Sequence, residues 1–160
     1  PLAPDIITEA LGQVQAPARL EVVRRSPTVV LDTCHNPHGA RATIDALTEA
    51  FTFAPLIGVV AMMADKDVDG LLSIFAEEMT TIVCTTVAGT SRALSPEALA
   101  ERASGIFGED RVRVASGLSD AIEAAVALAD EAGPGAGVLV AGSVIAAGQA
   151  RALLVREERR

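Results

Sequence analysis

Thr28-Val29-Val30-Leu31-Asp32-Thr33-Cys34-His35-Asn36-Pro37-His38-Gly39-Ala40 runs from a short β-branched, apolar stretch through a polar loop into a helical pattern. A strand without polar alternation is buried on both faces, as in a parallel sheet covered by helices. Ligands of open α/β sheets bind just outside the carboxyl ends of the strands. Asp32, His35 and Asn36 arrive together at such an edge, which predicts a site for a polar ligand. Both histidines of the chain fall in this stretch.

The same alternation continues in both directions. Leu20–Arg24 and Thr28–Leu31 predict two strands, separated only by Arg25-Ser26-Pro27 and therefore able to pair as a hairpin. Further strands are expected over 56–61, 81–86, 111–114 and 138–140. Helices are expected over 38–51, 68–79, 96–107, 118–131 and from Gly142-Ser143 to about residue 156. Ser95-Pro96-Glu97 is a helix start, with Ser as cap, Pro in the first helical position and an acid in the first turn. His38 is a candidate cap for the helix after Asp32. Residues 5–13 predict a short helix, and the proline-containing first 17 residues read as a linker. The fold class is α/β: a Rossmann-like, mainly parallel sheet of about six strands flanked by helices.

With 160 residues, 50% of them apolar, the chain can build the core of one domain. Aromatic residues are only 2%, too few for the stacking platforms that bind single-stranded nucleic acid. A net charge of −8 opposes non-specific binding to nucleic acid. No apolar run is long enough to span a membrane, and the two cysteines, Cys34 and Cys84, form no disulfide framework. The expectation is a cytoplasmic protein with neither nucleic-acid nor membrane partners. A chain that opens on Pro1 is expected to be a processed product or a piece of something longer.

Polar groups recur after successive strands, and a parallel sheet brings such positions to one edge. Asp32, acceptor-only when ionised, suits a pair of ribose hydroxyls, or else serves as a turn residue. His35 can donate to a carboxylate or phosphate, or be purely structural. Lys66, the only lysine, suits a carboxylate as a point charge, or else pairs with its neighbours Asp65 and Asp67. Arg92 is an anion clamp or a solvated loop charge. Ser143, before the last helix, can help to bind an anion and cap the helix at once. Cys34 beside His35 raises a thiolate nucleophile, but neighbours on an extended chain point apart, and a buried cysteine is the simpler reading. Neither a Gly-x-x-x-x-Gly-Lys-Ser/Thr loop nor a Gly-x-Gly-x-x-Gly fingerprint is present.

Five motifs stand in one order: Pro17-Ala18-Arg19-Leu20-Glu21, Leu31-Asp32-Thr33-Cys34-His35-Asn36-Pro37, Met63-Ala64-Asp65-Lys66-Asp67, Arg92-Ala93-Leu94-Ser95 and Ala141-Gly142-Ser143. Together they resemble the C-terminal domain of the folylpolyglutamate synthase/dihydrofolate synthase family, within the Mur ligase superfamily. The resemblance covers essentially the whole chain. It implies that residues 18–160 are the glutamate ligase domain and that 1–17 link it to an N-terminal domain carrying the phosphate loop and the magnesium ligands. It implies an ATP-dependent amide ligase acting through an acyl phosphate, with ATP, L-glutamate and a folate as partners. By motif, Arg19 and Asp32 match ATP contacts, and His35, Lys66 and Ser143 match positions near glutamate, with Arg92 a further glutamate candidate. His35 is the catalytic candidate. The family's usual Gly stands here as Ala18, and its Gly-Ala as Thr33-Cys34. The alternatives are a muramyl-peptide ligase domain and a non-catalytic small-molecule binding module.

Overall fold

Apolar runs without polar alternation become the centre of the sheet. The computed structural model describes residues 16–157; the helix expected over 5–13 lies outside them. Its strands are β1 (Glu21–Arg25), β2 (Thr28–Leu31), β3 (Leu56–Val60), β4 (Met79–Cys84), β5 (Val112–Val114) and β6 (Gly137–Ala141). Its helices are α1 (Pro37–Ala50), α2 (Val68–Glu78), α3 (Pro96–Phe107), α4 (Leu118–Ala132) and α5 (Val144–Glu157). Every residue of β3 and β6 is buried. β1, half exposed, and β5, only three residues long, form the edges.

The sheet order is β1-β2-β6-β3-β4-β5, with β1–β2 antiparallel and the rest parallel. Side chains alternate between its faces. Val30, Val60, Ile82 and Leu139 pack with Ile44 of α1, Phe75 of α2 and Leu99 of α3. Val29, Ile57, Val83 and Val138 pack with Ile122 of α4 and Leu154 of α5. The chain steps in one direction from β2 through β3 and β4 to β5, then returns to β6. Crossovers are right-handed, so reversing direction moves the connecting helix, α4, to the opposite face.

Three details depart from the sequence reading. The cap of α1 is Asn36, not His38: the Asn36 side chain accepts from the Gly39 N–H at 2.8 Å, with Pro37 opening the helix. The residue before proline is held extended, which is the conformation a cap requires. β4 starts at Met79, two residues early, because Met79 pairs with Leu56 while its side chain fills the space above Gly58. Arg111 belongs to a 3-10 turn over Glu109–Arg111 rather than to β5. Its guanidinium donates to the carbonyls of Ala76, Met79, Thr80 and Phe107, so it satisfies the ends of α2 and α3.

Candidate functional site

Strands β2, β6, β3 and β4 all end at one rim. The loop after β2 turns to the α1 face, whereas the loop after its neighbour β6 turns to the α5 face. Divergence of adjacent loops opens a crevice where ligands bind in such sheets. Along this rim the order is Asp32, Ser143, then Lys66, at strand ends spaced roughly 5 Å apart.

A cavity of about 330 Å³ lies beside the β2–α1 loop, lined by Arg19, Asp32, His35, Asn36 and Thr43 among others. Leu31 faces the α5 layer, so alternation turns Asp32 towards α1. There its Oδ1 accepts from the Thr43 hydroxyl and the Cys34 N–H, both at 2.8 Å, and its Oδ2 accepts from the Leu20 N–H at 3.1 Å. Asp32 is only 7% exposed. It is therefore a turn organiser whose carboxylate also stands at the cavity wall.

Arg19 reaches the same cavity from an unusual turn. Ala18 and Leu20 have φ of 58° and 44°, a left-handed conformation costing roughly 1–2 kcal/mol for each non-glycine residue. All three N–H groups of the turn are engaged. Ala18 donates to Glu21 Oε2 at 2.6 Å, Arg19 to the Ala16 carbonyl at 3.2 Å, and Leu20 to Asp32. Among the described residues the Arg19 side chain, which is exposed, forms no ion pair.

The His35 Nδ1 lies 3.1 Å from the Thr33 carbonyl. A carbonyl only accepts, so Nδ1 is the donor, and Nε2 is the ring nitrogen without a hydrogen-bond partner among the described residues. Burial, followed by the Asp32 charge, pushes the Cys34 thiol up to about 12. Cys34 is thus a protonated core residue and no nucleophile.

Ser143 is 3% exposed, and its Oγ accepts from the N–H groups of Ile145 and Ala146 at 3.1 and 3.3 Å. It caps α5 and retains its own hydroxyl proton. The preceding Gly142 donates to the Cys34 carbonyl at 3.1 Å and thereby ties the loops after β6 and β2 together.

Lys66 does not pair with either flanking carboxylate. Asp65 binds Arg92 at 2.7 Å, and that ion pair holds the Asp65 carboxyl below its usual range. Asp67 caps α2 by accepting from the Gly70 N–H at 3.0 Å. The loops carrying Lys66 and Arg92 are joined by backbone bonds from Ala64 to Arg92 and from Leu94 to Met62. Lys66 is left half-buried and without an ion pair among the described residues.

The structure therefore gathers Arg19, Asp32 and His35 at one cavity. Ser143 and Lys66 stand further along the rim, and Arg92 is committed to Asp65. Sequence reasoning missed Thr43 and Arg151. Thr43 lies 11 positions beyond the residue it serves, and Arg151 binds Glu21 across 130 positions; no local pattern marks either. Among the described residues no three His, Cys, Asp or Glu side chains gather as a metal site. These described residues therefore do not fit a divalent ion. No helix among them is long and apolar enough to cross a membrane.

Comparison with known proteins places this geometry in a family. The dihydrofolate synthase/folylpolyglutamate synthase of Mycobacterium tuberculosis is 40% identical over 163 residues, covering 96% of this chain and 33% of that protein. A crystal structure of the folylpolyglutamate synthase of the same organism, complexed with ADP and AMPPCP, matches with a TM-score of 0.89 and 42% identity, covering 96% of this chain and 35% of the other. A bifunctional folylpolyglutamate synthase/dihydrofolate synthase with Mn, AMPPNP and L-glutamate bound matches with a TM-score of 0.79 and 29% identity, covering 96% and 35%. The chain thus spans about a third of the length of these relatives. Residues 18–144 match the family described as Mur ligase, glutamate ligase domain, and the chain belongs to that family.

Proposed function

We propose that this chain is the C-terminal domain of an ATP-dependent ligase that adds L-glutamate to a folate or dihydropteroate, and that it is inert without its N-terminal domain. The observation that carries the reading is the shared cavity of Arg19 and Asp32, a guanidinium with no ion pair among the described residues and a buried carboxylate, at the rim where α/β sheets bind ligands. Curated relatives with folate-ligase names and a nucleotide-bound neighbour of 42% identity support it over a muramyl-peptide ligase.

In this reading Arg19 binds nucleotide phosphate oxygens and Asp32 accepts from ribose hydroxyls. Lys66, with no carboxylate partner among the described residues, takes a carboxylate of the incoming glutamate, assisted by the Ser143 hydroxyl. ATP transfers its terminal phosphoryl group to the folate carboxylate. The glutamate amine then attacks the acyl carbon, the C–N bond forms, and phosphate departs with the electrons of the C–O bond. The His35 Nε2 accepts the proton the amine loses. The phosphate loop and the magnesium ligands belong to the N-terminal domain, whose closure over the rim excludes water from the acyl phosphate.

Steady-state ligation by the full-length protein tests the assignment. Removing one charge-assisted contact costs about 1.5–3 kcal/mol, or roughly 10- to 100-fold in apparent affinity. Lys66→Ala is expected to raise the glutamate KM by that factor and leave the ATP KM within about twofold. Arg19→Ala is expected to do the reverse. Parent-like turnover of both variants at limiting glutamate and ATP overturns the reading.

A further inference from the structure

We infer that Glu21 and Arg151 form a positioning clamp that holds Arg19 in its working orientation, an inference that rests on the reading of Arg19 as a nucleotide contact. Arg19 sits at the tip of a turn in which Ala18 and Leu20 both occupy the left-handed region that side chains disfavour. Such a turn persists only where its surroundings over-determine it, and backbone strain of this kind gathers at functional sites. Here the restraint is visible. The Glu21 carboxylate accepts from the Ala18 N–H at 2.6 Å, and the Arg151 Nε donates to both oxygens of that carboxylate, at 3.0 and 3.1 Å. Ala18 itself is 3% exposed and belongs to the apolar core that α4 and α5 form with their face of the sheet, so the base of the turn is anchored by apolar contact as well.

Glu21 thus serves two partners at once: it fixes the first N–H of the turn and is itself fixed by α5. Arg151 lies on the helix whose first turn is capped by Ser143. One helix therefore carries the Ser143 hydroxyl at its start and steadies Arg19 from its middle. Neither member of the pair lines the cavity. Both act through Arg19, as positioning residues rather than catalytic ones.

The geometry also specifies a rescue. If the clamp acts by holding a strained turn, relieving the strain makes the clamp less necessary. Glycine at position 18 adopts positive φ without a Cβ penalty, so Ala18→Gly compensates for loss of the ion pair.

The test uses the full-length protein and four variants: Arg19→Ala, Arg151→Met, Arg151→Lys and the double variant Arg151→Met/Ala18→Gly. ATP and glutamate KM, kcat and the thermal midpoint are measured for each. Arg151→Met is expected to raise the ATP KM about five- to twentyfold, with kcat and the glutamate KM within twofold and a thermal midpoint within about 2 °C of the parent. Arg151→Lys should fall between Arg151→Met and the parent, and the double variant should return the ATP KM to within about twofold of the parent. An unchanged ATP KM in Arg151→Met, or a rise that Ala18→Gly does not reverse, overturns the clamp. If Arg19→Ala leaves the ATP KM unchanged, the nucleotide reading of the cavity fails instead, so the two failures are told apart.

Discussion

Asp32 accepts three hydrogen bonds from within its own domain, from Thr43, Cys34 and Leu20. Replacing it by alanine leaves buried donors without partners, at about 1–3 kcal/mol each. Loss of activity in Asp32→Ala would therefore mix lost stability with lost binding. Lys66 and Arg19, whose charges are unpaired among the described residues, report on function more cleanly. The two thiols give a prediction of their own. Burial raises Cys34 and Cys84 from 9.0 to about 12, with the Asp32 charge adding to the effect on Cys34. Between pH 9 and 12 the unfolded chain therefore holds fewer protons than the native one, and stability falls as pH rises through that window. Urea titrations at a series of pH values should show this fall steeper in the parent than in a Cys34→Ala/Cys84→Ala variant. Equal slopes would mean that the native thiols ionise as freely as the unfolded ones.

At the scale of the element, the β6–α5 junction decides where Ser143 stands. Gly142 has φ +99°, and a Cβ there would lie 2.9 Å from the Ala61 carbonyl oxygen. Neither the backbone conformation nor the neighbouring strand accommodates a side chain. Gly142→Ala is expected to lower stability by about 2 kcal/mol or more. Gly148, exposed within α5 with open space around it, is the control. Gly148→Ala gains helix propensity and should raise stability by up to about 1 kcal/mol. Thermal melts of the two variants should move in opposite directions, and a neutral Gly142→Ala would show that the junction tolerates another conformation.

The whole molecule depends on a strand made last. β6 hydrogen-bonds to β2 on one side and β3 on the other, so the halves of the sheet meet only through it. Removing residues 137–160 deletes the central strand and α5 together, including the partner of Glu21. Such a chain is expected to lack a cooperative urea transition, although most of its helices and strands remain encoded. Retention of a cooperative transition would contradict that dependence. The same topology makes native pairing highly non-local, which slows folding relative to a helical domain of similar length.

Periodicity and punctuation are local, so the sequence by itself determined which segments are strands and helices, and that Asp32, Lys66 and Ser143 stand at strand ends. Because parallel strands share a direction, that much also placed these residues on one rim. The cap of α1 went astray by two positions, since both Asn36 and His38 sit at a plausible start and only backbone geometry chooses between them. Tertiary structure alone decided the partners. Arg92 takes Asp65 across 27 positions, freeing Lys66, and Arg151 takes Glu21 across 130. It also decided that β6 inserts between β2 and β3, which makes Ser143 the neighbour of Asp32. Such pairings depend on the three-dimensional approach of segments remote in the chain, and no short window of residues encodes that approach.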